Sequence, residues 1–369
     1  MNARAPIPRR SEALPEPHQP RGRGAKSNAA GRYEREVREP FDDGWGESDP
    51  KAPKIETKLI RDASRTIIAT NDSPDIGFDR SINPYRGCEH GCIYCYARPT
   101  HAYWGYSAGV DFESTILYKP DAAALLRKTF AKKNYRPEPI VIGAITDPYQ
   151  PVERRLRATR GLLEVFLEHG HPVSLITKSA SVTRDVDLLR ELAAQGLGRV
   201  AISITTQDRR LARAMEPRAA TPARRFEAIE MLSEAGVPVT LMTAPVIPGL
   251  TDHEIEALLK AGAEAGASHA GYVLLRLPLE VRDLFEQWLK AERPDAAAKV
   301  MSLVRQTRGG RDYDPTFGKR GVGEGPIAEL IAKRFRAAVR RYGLETERRK
   351  LRIDLFQRPI ADETQLSLF

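Results

Sequence analysis

All three cysteines of the 369-residue chain fall in one short stretch, Cys88-Glu-His-Gly-Cys92-Ile-Tyr-Cys95. An odd trio at C-x3-C-x2-C spacing makes no disulfide framework, and points to metal ligation instead. Structural zinc takes four ligands, usually from C-x2-C pairs, so zinc here would need His90 or His101 as the fourth. An ordinary iron–sulfur cluster also takes four thiolates. Three thiolates with no fourth cysteine would leave one iron open to a substrate or cofactor. That describes a reactive cluster rather than an electron wire.

The surrounding elements must hold such a loop still. From about residue 80, Val- and Ile-rich runs alternate with amphipathic segments of helical period. A first strand is expected near 80–83, just before the cysteines. The runs 139–145, 172–177, 199–205, 237–243 and 270–276 read as further strands. Helices are expected near 155–169, 183–196, 221–235, 252–265 and 280–291. Strands alternating with helices of this length imply parallel βα units. About six units fall short of the eight of a closed barrel. The expected fold is therefore α/β, a partial six-unit TIM-like barrel over 65–292, with a helical extension over 293–344. Residues 318–325 form a Gly-rich break that lacks the Gly-Lys-Ser/Thr ending of a phosphate loop. Residues 1–55, rich in Arg, Pro, Gly and Glu, read as a disordered basic arm, and 345–369 as a flexible tail.

Composition narrows the class. Hydrophobic residues make up 41% and charged residues 29%, and no apolar run is long enough for a membrane span. Pro6 and Pro8 stand where a signal peptide would need an apolar core, so a reducing cytoplasm is expected. The balance of 58 Lys+Arg against 49 Asp+Glu gives a net charge of +9, a mild bias toward polyanions such as nucleic acid.

C-x3-C-x2-C with an aromatic before the third cysteine, after the first strand of such a barrel, resembles the radical S-adenosylmethionine (SAM) superfamily. The stretch ATNDSPDIGFDRSINPYRGCEHGCIYC and the motifs below resemble its spore photoproduct lyase-like branch. The resemblance implies a 4Fe-4S cluster on Cys88, Cys92 and Cys95, SAM on the open iron, and an external electron donor. It also implies reductive cleavage of SAM to a 5′-deoxyadenosyl radical that abstracts hydrogen. Tyr94 matches the aromatic that packs by the adenine. Thr146 and Asp147 match the Ser-Asp segment that holds the methionyl end of SAM, although Asp147 could equally cap the next helix. Lys178 matches a lysine that contacts SAM, with a plain surface lysine as the alternative. Ser203 matches a serine near the ribose, though a backbone bond would satisfy it as well. Glu216 lies in a Met-Glu-Pro segment matching Phe-Glu-Pro, and Ala244 in a matching Ala-Pro.

One position departs from the lyase pattern. Where the lyase carries the cysteine that returns hydrogen to the product radical, this chain has Ile145, and no cysteine lies outside the cluster loop. Tyr96 matches the lyase's relay tyrosine, with a packed aromatic as the alternative. His101, Tyr103, Trp104 and Tyr106 could line a substrate mouth or pack under the loop.

The chain ends Gln365-Leu366-Ser367-Leu368-Phe369, which resembles the pentapeptide by which bacterial replication and repair proteins bind the DNA sliding clamp. Apolar anchors on a polar tail suit such a partner. The leading expectation is a radical SAM enzyme acting on DNA. Radical chemistry on RNA, a protein or a small metabolite is a second reading. A zinc- or cluster-bearing nucleic-acid binding module is a third.

Overall fold

The computed structural model describes residues 22–33, 55–347 and 350–359. Two short strands, β1 (Lys58–Arg61) and β2 (Ile68–Thr70), precede β3 (Arg80–Ile82) and β4 (Tyr85–Arg86). The cysteine loop and a 3-10 helix (Arg98–Trp104) lead to α1 (Val110–Ser114), β5 (Thr115–Tyr118) and α2 (Ala122–Phe130). Then come β6 (Ile140–Ile142), α3 (Glu153–Leu156), α4 (Ala158–Glu168), β7 (Val173–Thr177), α5 (Val186–Ala194) and β8 (Gly198–Ser203). The series continues with α6 (Arg209–Met215), α7 (Pro222–Glu234), β9 (Val239–Val246), α8 (Ile255–Glu264) and β10 (His269–Leu274). It ends with α9 (Glu280–Glu292), α10 (Pro294–Gln306) and α11 (Gly325–Arg341).

The main sheet runs β10-β9-β8-β7-β6-β3-β2, with β2 antiparallel and the other six strands parallel. It is the open, six-unit barrel. The sequence period explains its packing. Val173 and Leu175 of β7 pair with Gly198 and Val200 of β8, and Val200 and Ile202 pair with Val239 and Leu241 of β9. These aliphatic side chains point to one face, where helical Leu162, Phe166, Leu189, Leu192, Ile229, Leu232 and Leu259 cover them. The alternate residues, such as Ser174, Arg199, Ala201 and Ser203, point the other way, into the barrel. A side sheet of order β1-β5-β4 had no counterpart in the βα reading.

Several expectations need correction. The helix expected near 155–169 is broken at Arg157, which takes a left-handed φ of 50°. The Glu153 carboxylate accepts the freed amide of Thr159. The helix near 183–196 starts as a 3-10 turn over Ala180–Asp185, capped by the Ser179 hydroxyl. Within the arm expected to be disordered, residues 22–33 are instead packed against the cysteine loop, with Arg23, Ala25 and Ser27 buried. Within the tail expected to be flexible, residues 345–347 and 350–359 include ordered contacts. Glu345 bridges to His269, Arg352 N–H donates to Gly196, and Gln357 N–H donates to His169. All three contacts lie at the N-terminal ends of strands, opposite the cysteines. The pentapeptide Gln365, Leu366, Ser367, Leu368, Phe369 lies outside the described residues. No described helix is long and apolar enough to cross a membrane.

Candidate active site

The cysteine loop follows β4 and sits at the C-terminal ends of the parallel strands. Backbone economy shapes it. Gly87 and Gly91 take φ of +77° and +68°, and a Cβ on either would collide with neighbouring atoms. Cys88 N–H donates to the Phe112 carbonyl at 2.8 Å and Ile93 N–H to Met215 at 2.9 Å. Gln150 clasps the loop from the other side, accepting from Glu89 N–H at 2.8 Å and donating to the Gly87 carbonyl at 3.2 Å. Arg98 is fully buried and donates to the carbonyls of Gly91, Cys92, Ala108 and Gly109, each at 2.9–3.0 Å. Its charge is met by the equally buried Glu113.

Cys88 and Cys92 are buried and Cys95 half-buried. Burial raises the pKa of all three thiols, and their mutual proximity contributes to the shift at Cys88 and Cys92. Buried thiolates so close together need a positive centre among them. Among the described residues, no three His, Cys, Asp or Glu side chains converge to cage a single metal ion. A polynuclear cluster, whose irons take one thiolate each, fits this donor set.

Around the thiols lies a ring of buried charge. The Tyr94 hydroxyl donates to the Glu216 carboxylate, which also accepts from Thr205 Oγ1 at 2.8 Å and from Arg225. Arg225 further donates to the carbonyls of Ser203 at 2.9 Å and Ala220 at 2.8 Å. Lys178 Nζ donates to the Ala244 carbonyl at 3.1 Å and sits 5.8 Å from the Tyr94 ring centroid. Burial lowers the pKa of its ammonium, and the nearby thiols and Asp147 push it back up. Lys178 is a half-buried amine beside the Tyr94 ring and the cysteines, placed to donate to an anionic ligand group. Tyr94, Lys178, Ser203, Glu216 and Ala244 come together across β7, β8 and β9.

Asp147 is not a helix cap, since α3 begins only at Glu153. Its Oδ1 accepts from Thr177 Oγ1 at 2.7 Å and Tyr149 N–H at 2.9 Å, and its Oδ2 from Lys178 N–H at 2.7 Å. His90 Nδ1 lies 3.3 Å away. Burial pushes this carboxyl up, but His90 and these donors bring it down to about 2. It braces the ends of β6 and β7 together. The hydroxyl of Thr146, also buried, donates to the Tyr85 carbonyl at 2.8 Å.

Tyr96 is 46% exposed, so it is not a packed core aromatic. Its hydroxyl donates to the Ala144 carbonyl, next to Ile145, and the Arg276 guanidinium lies over its ring at 4.9 Å. His101 is buried between Tyr106 and Phe112, so it packs under the loop, and burial takes its pKa down to about 4. Tyr103 and Trp104 instead line a groove of about 320 Å³ with Arg86, Lys119, Ile145 and Thr146. Arg86 lies 4.2 Å from the Trp104 ring centroid, and both Arg86 and Lys119 reach Asp62.

Comparison with known proteins agrees with this geometry. The radical SAM superfamily profile matches residues 82–261. An uncharacterised protein of Mycobacterium tuberculosis is 35% identical over 258 residues, covering 69% of this chain and 74% of its own. A protein of Pseudomonas phage M6 named as a radical SAM Nalpha-GlyT isomerase is 24% identical over 189 residues, half of this chain and 37% of its own. Spore photoproduct lyase, solved in complex with a dinucleoside spore photoproduct, has a similar fold. Its TM-score is 0.56 at 17% identity, covering 78% of this chain and 81% of the lyase. The protein belongs to the radical SAM superfamily. It is an enzyme of that class, using a 4Fe-4S cluster and SAM, with a spore photoproduct lyase-like fold. The reading as a zinc binding module is set aside. Reductive cleavage of SAM to a carbon radical is the chemistry that the bound cofactors supply.

Sequence reasoning missed Arg98, Glu113, Gln150 and Arg225. Each acts through bonds that no periodicity marks: Gln150 reaches Glu89 and Gly87, Arg98 the carbonyls of Gly91 and Cys92, and Arg225 the Ser203 carbonyl.

Proposed function

We propose that this enzyme turns its radical on a nucleotide of DNA. Cys88, Cys92 and Cys95 hold the cluster. Tyr94, Lys178, Ser203, Glu216 and Ala244 form the SAM-binding face, with Thr146 and Asp147 fixing its edge. The observation that carries the substrate class is the groove beside Ile145 and Thr146. It offers the exposed rings of Tyr103 and Trp104 to a base and the part-exposed guanidinium of Arg86 to a phosphate, while Lys119, buried against Asp62 and the Asn83 carbonyl, backs the groove. Bases stack on such rings whatever their identity, and cations track the backbone. A base in a duplex must be extruded to reach it. The lyase-like fold, from a protein solved with a dinucleoside lesion, supports the same reading.

Hydrogen return cannot use a thiol of this chain outside the cluster loop, because there is none. Tyr96, beside Ile145 at the same edge, is the residue we assign to that relay. Recruitment to the sliding clamp by residues 365–369 completes the proposal.

The test is release of 5′-deoxyadenosine by reconstituted, reduced protein with SAM, with and without DNA. Single-stranded or lesion-bearing DNA should stimulate release and lose a hydrogen to the deoxyadenosine, read by deuterium transfer. Cleavage of SAM that no DNA stimulates, or deuterium transfer only from RNA or a peptide, would overturn the substrate class. Deleting residues 365–369 should abolish capture by purified clamp and leave SAM cleavage unchanged.

A further inference from the structure

Residues 23–28 lie in a stretch of low-complexity composition, yet they make some of the most specific backbone contacts in the molecule. Gly24 N–H and Ala25 N–H donate to the two oxygens of Glu113, each at 2.8 Å. Arg23 donates to the Glu113 backbone carbonyl at 2.5 Å and to the Ile55 carbonyl at 2.7 Å. Asn28 exchanges side-chain bonds with Asp111, at 2.9 Å to its N–H and 2.8 Å to its carboxylate. The fit leaves no slack. A Cβ on residue 24 would stand 1.9 Å from the Gly91 carbonyl oxygen, and one on Gly109 would stand 2.1 Å from the Ser27 carbonyl oxygen. Ala25 is wholly buried in the same apolar cluster as Cys92 and Ile93.

Glu113 is the common partner. One of its oxygens neutralises Arg98, and Arg98 in turn holds the carbonyls of Gly91 and Cys92. Both side chains are fully buried. Two peptide N–H groups complete the hydrogen bonding of a carboxylate that has no solvent. Without them the carboxylate keeps only part of its stabilisation, and the Arg98–Glu113 pair has freedom to move. The next groups in that chain of contacts are the carbonyls that set the spacing between Cys92 and its neighbours.

We propose that residues 23–28 are a strap that positions the cluster loop, acting through Glu113 and Arg98. The strap touches no reacting atom. It fixes where the Cys92 thiolate stands and closes that side of the loop to solvent. Lys26, on the same segment, points away and pairs with Glu292 of α9 at 3.0 Å, so it serves as an internal control.

The test uses the full chain, reconstituted anaerobically with iron and sulfide. Gly24→Ala drives a methyl into the Gly91 carbonyl, and Arg23→Ala removes the bonds to the Glu113 and Ile55 carbonyls. Both variants should lose their cluster absorbance in air roughly tenfold faster than the parent, the equilibrium equivalent of about one buried hydrogen bond. The midpoint potential of the cluster and its paramagnetic resonance spectrum with SAM should shift as well. A role in folding alone would move the urea midpoint of the apoprotein and leave those two signatures unchanged. Should Gly24→Ala fail to fold, Arg23→Ala decides by itself. The proposal fails if the folded variants keep the parent's rate of cluster loss and spectrum. It fails equally if Lys26→Ala accelerates loss as much, since that would assign the effect to general docking of the arm.

Discussion

The two ends of the parallel sheet are built from opposite materials. At the C-terminal ends, buried charge dominates: Arg98 with Glu113, Arg225 with Glu216, and Asp147 among His90, Thr177 and Lys178. At the N-terminal ends the corresponding layer is aromatic. Phe130 lies against Phe166, His169, His171 and Phe356 with ring centroids 4.4–6.0 Å apart. Within it, His171 satisfies both ring nitrogens locally, on Tyr135 Oη at 2.7 Å and the Pro172 carbonyl at 3.0 Å. Both layers stabilise the same sheet. Only the charged one can hold ligand groups in place, because its side chains are fixed by directional bonds while the aromatic rings are fixed by shape.

Mutations of similar severity at the two ends should separate these roles. The largest effect is expected from Arg225→Leu. It leaves the Glu216 carboxylate buried without its cation, a loss of about 3–5 kcal/mol. It also strips the Ser203 and Ala220 carbonyls of their donor and loosens the Glu216 carboxylate that holds Tyr94, so SAM cleavage should fall even in the fraction that remains folded. Phe130→Ala at the other end should cost about 3–5 kcal/mol through a cavity in the ring cluster. There the rate of SAM cleavage per folded molecule should stay at the parent value. Urea denaturation of the apoprotein gives the first quantity for each variant, and 5′-deoxyadenosine release at low temperature gives the second. Equal losses of activity per folded molecule would erase the distinction between the ends.

Within the charged end, Tyr96→Phe refines the assignment. The hydroxyl bonds one exposed-edge carbonyl, so stability should change by about 1 kcal/mol or less. SAM cleavage should persist, while the yield of product per 5′-deoxyadenosine should drop several-fold if Tyr96 relays hydrogen. An unchanged product yield would leave Tyr96 as a part-exposed aromatic tied to the Ala144 carbonyl and nothing more.

How much of this was legible in the sequence follows from the range of each interaction. The six parallel strands show themselves because residues two apart share a face, so Val173, Leu175, Val200 and Ile202 announce their burial locally. The cysteines show themselves because their ligand spacing is local too. Arg225 does not. It follows Arg224, which is exposed and pairs with Glu227, and nothing in the helix distinguishes the buried arginine from the exposed one. The partners that make it structural, Glu216 and the Ser203 carbonyl, meet it only once the strand and helix pack. The strap was hidden for a related reason. Gly-Ala-Lys-Ser-Asn carries no apolar period, and its order comes from backbone groups meeting Glu113, which composition cannot register. The docking of Phe356 likewise depends on a ring cluster assembled from α2, α4 and the segment before β7.

The smallest predicted effect tests the aromatic end by pH. Burial takes the pKa of His171 down to about 3, well below the usual imidazole value near 6.5. In that window the unfolded chain binds a proton that the folded chain refuses, so stability should fall as pH drops from about 6.5 toward 3. His101, pushed down to about 4 by burial under the cysteine loop, contributes with the same sign. Asp147 behaves differently: with its carboxyl held at about 2, its contribution is complete above its unfolded value and is lost only as pH falls through about 2. His171→Phe keeps a ring against Phe130 while removing the titrating group and its bond to Tyr135. Its urea midpoint at pH 7.5 should therefore lie near or slightly below the parent's, and its loss of stability between pH 6.5 and 4 should be shallower by one proton's share. Because the substitution lies at the far end of the sheet, the pH profile of SAM cleavage should not move. A parent-like stability slope in His171→Phe would mean that the ring cluster admits water and that the aromatic end is not the dry layer its geometry describes.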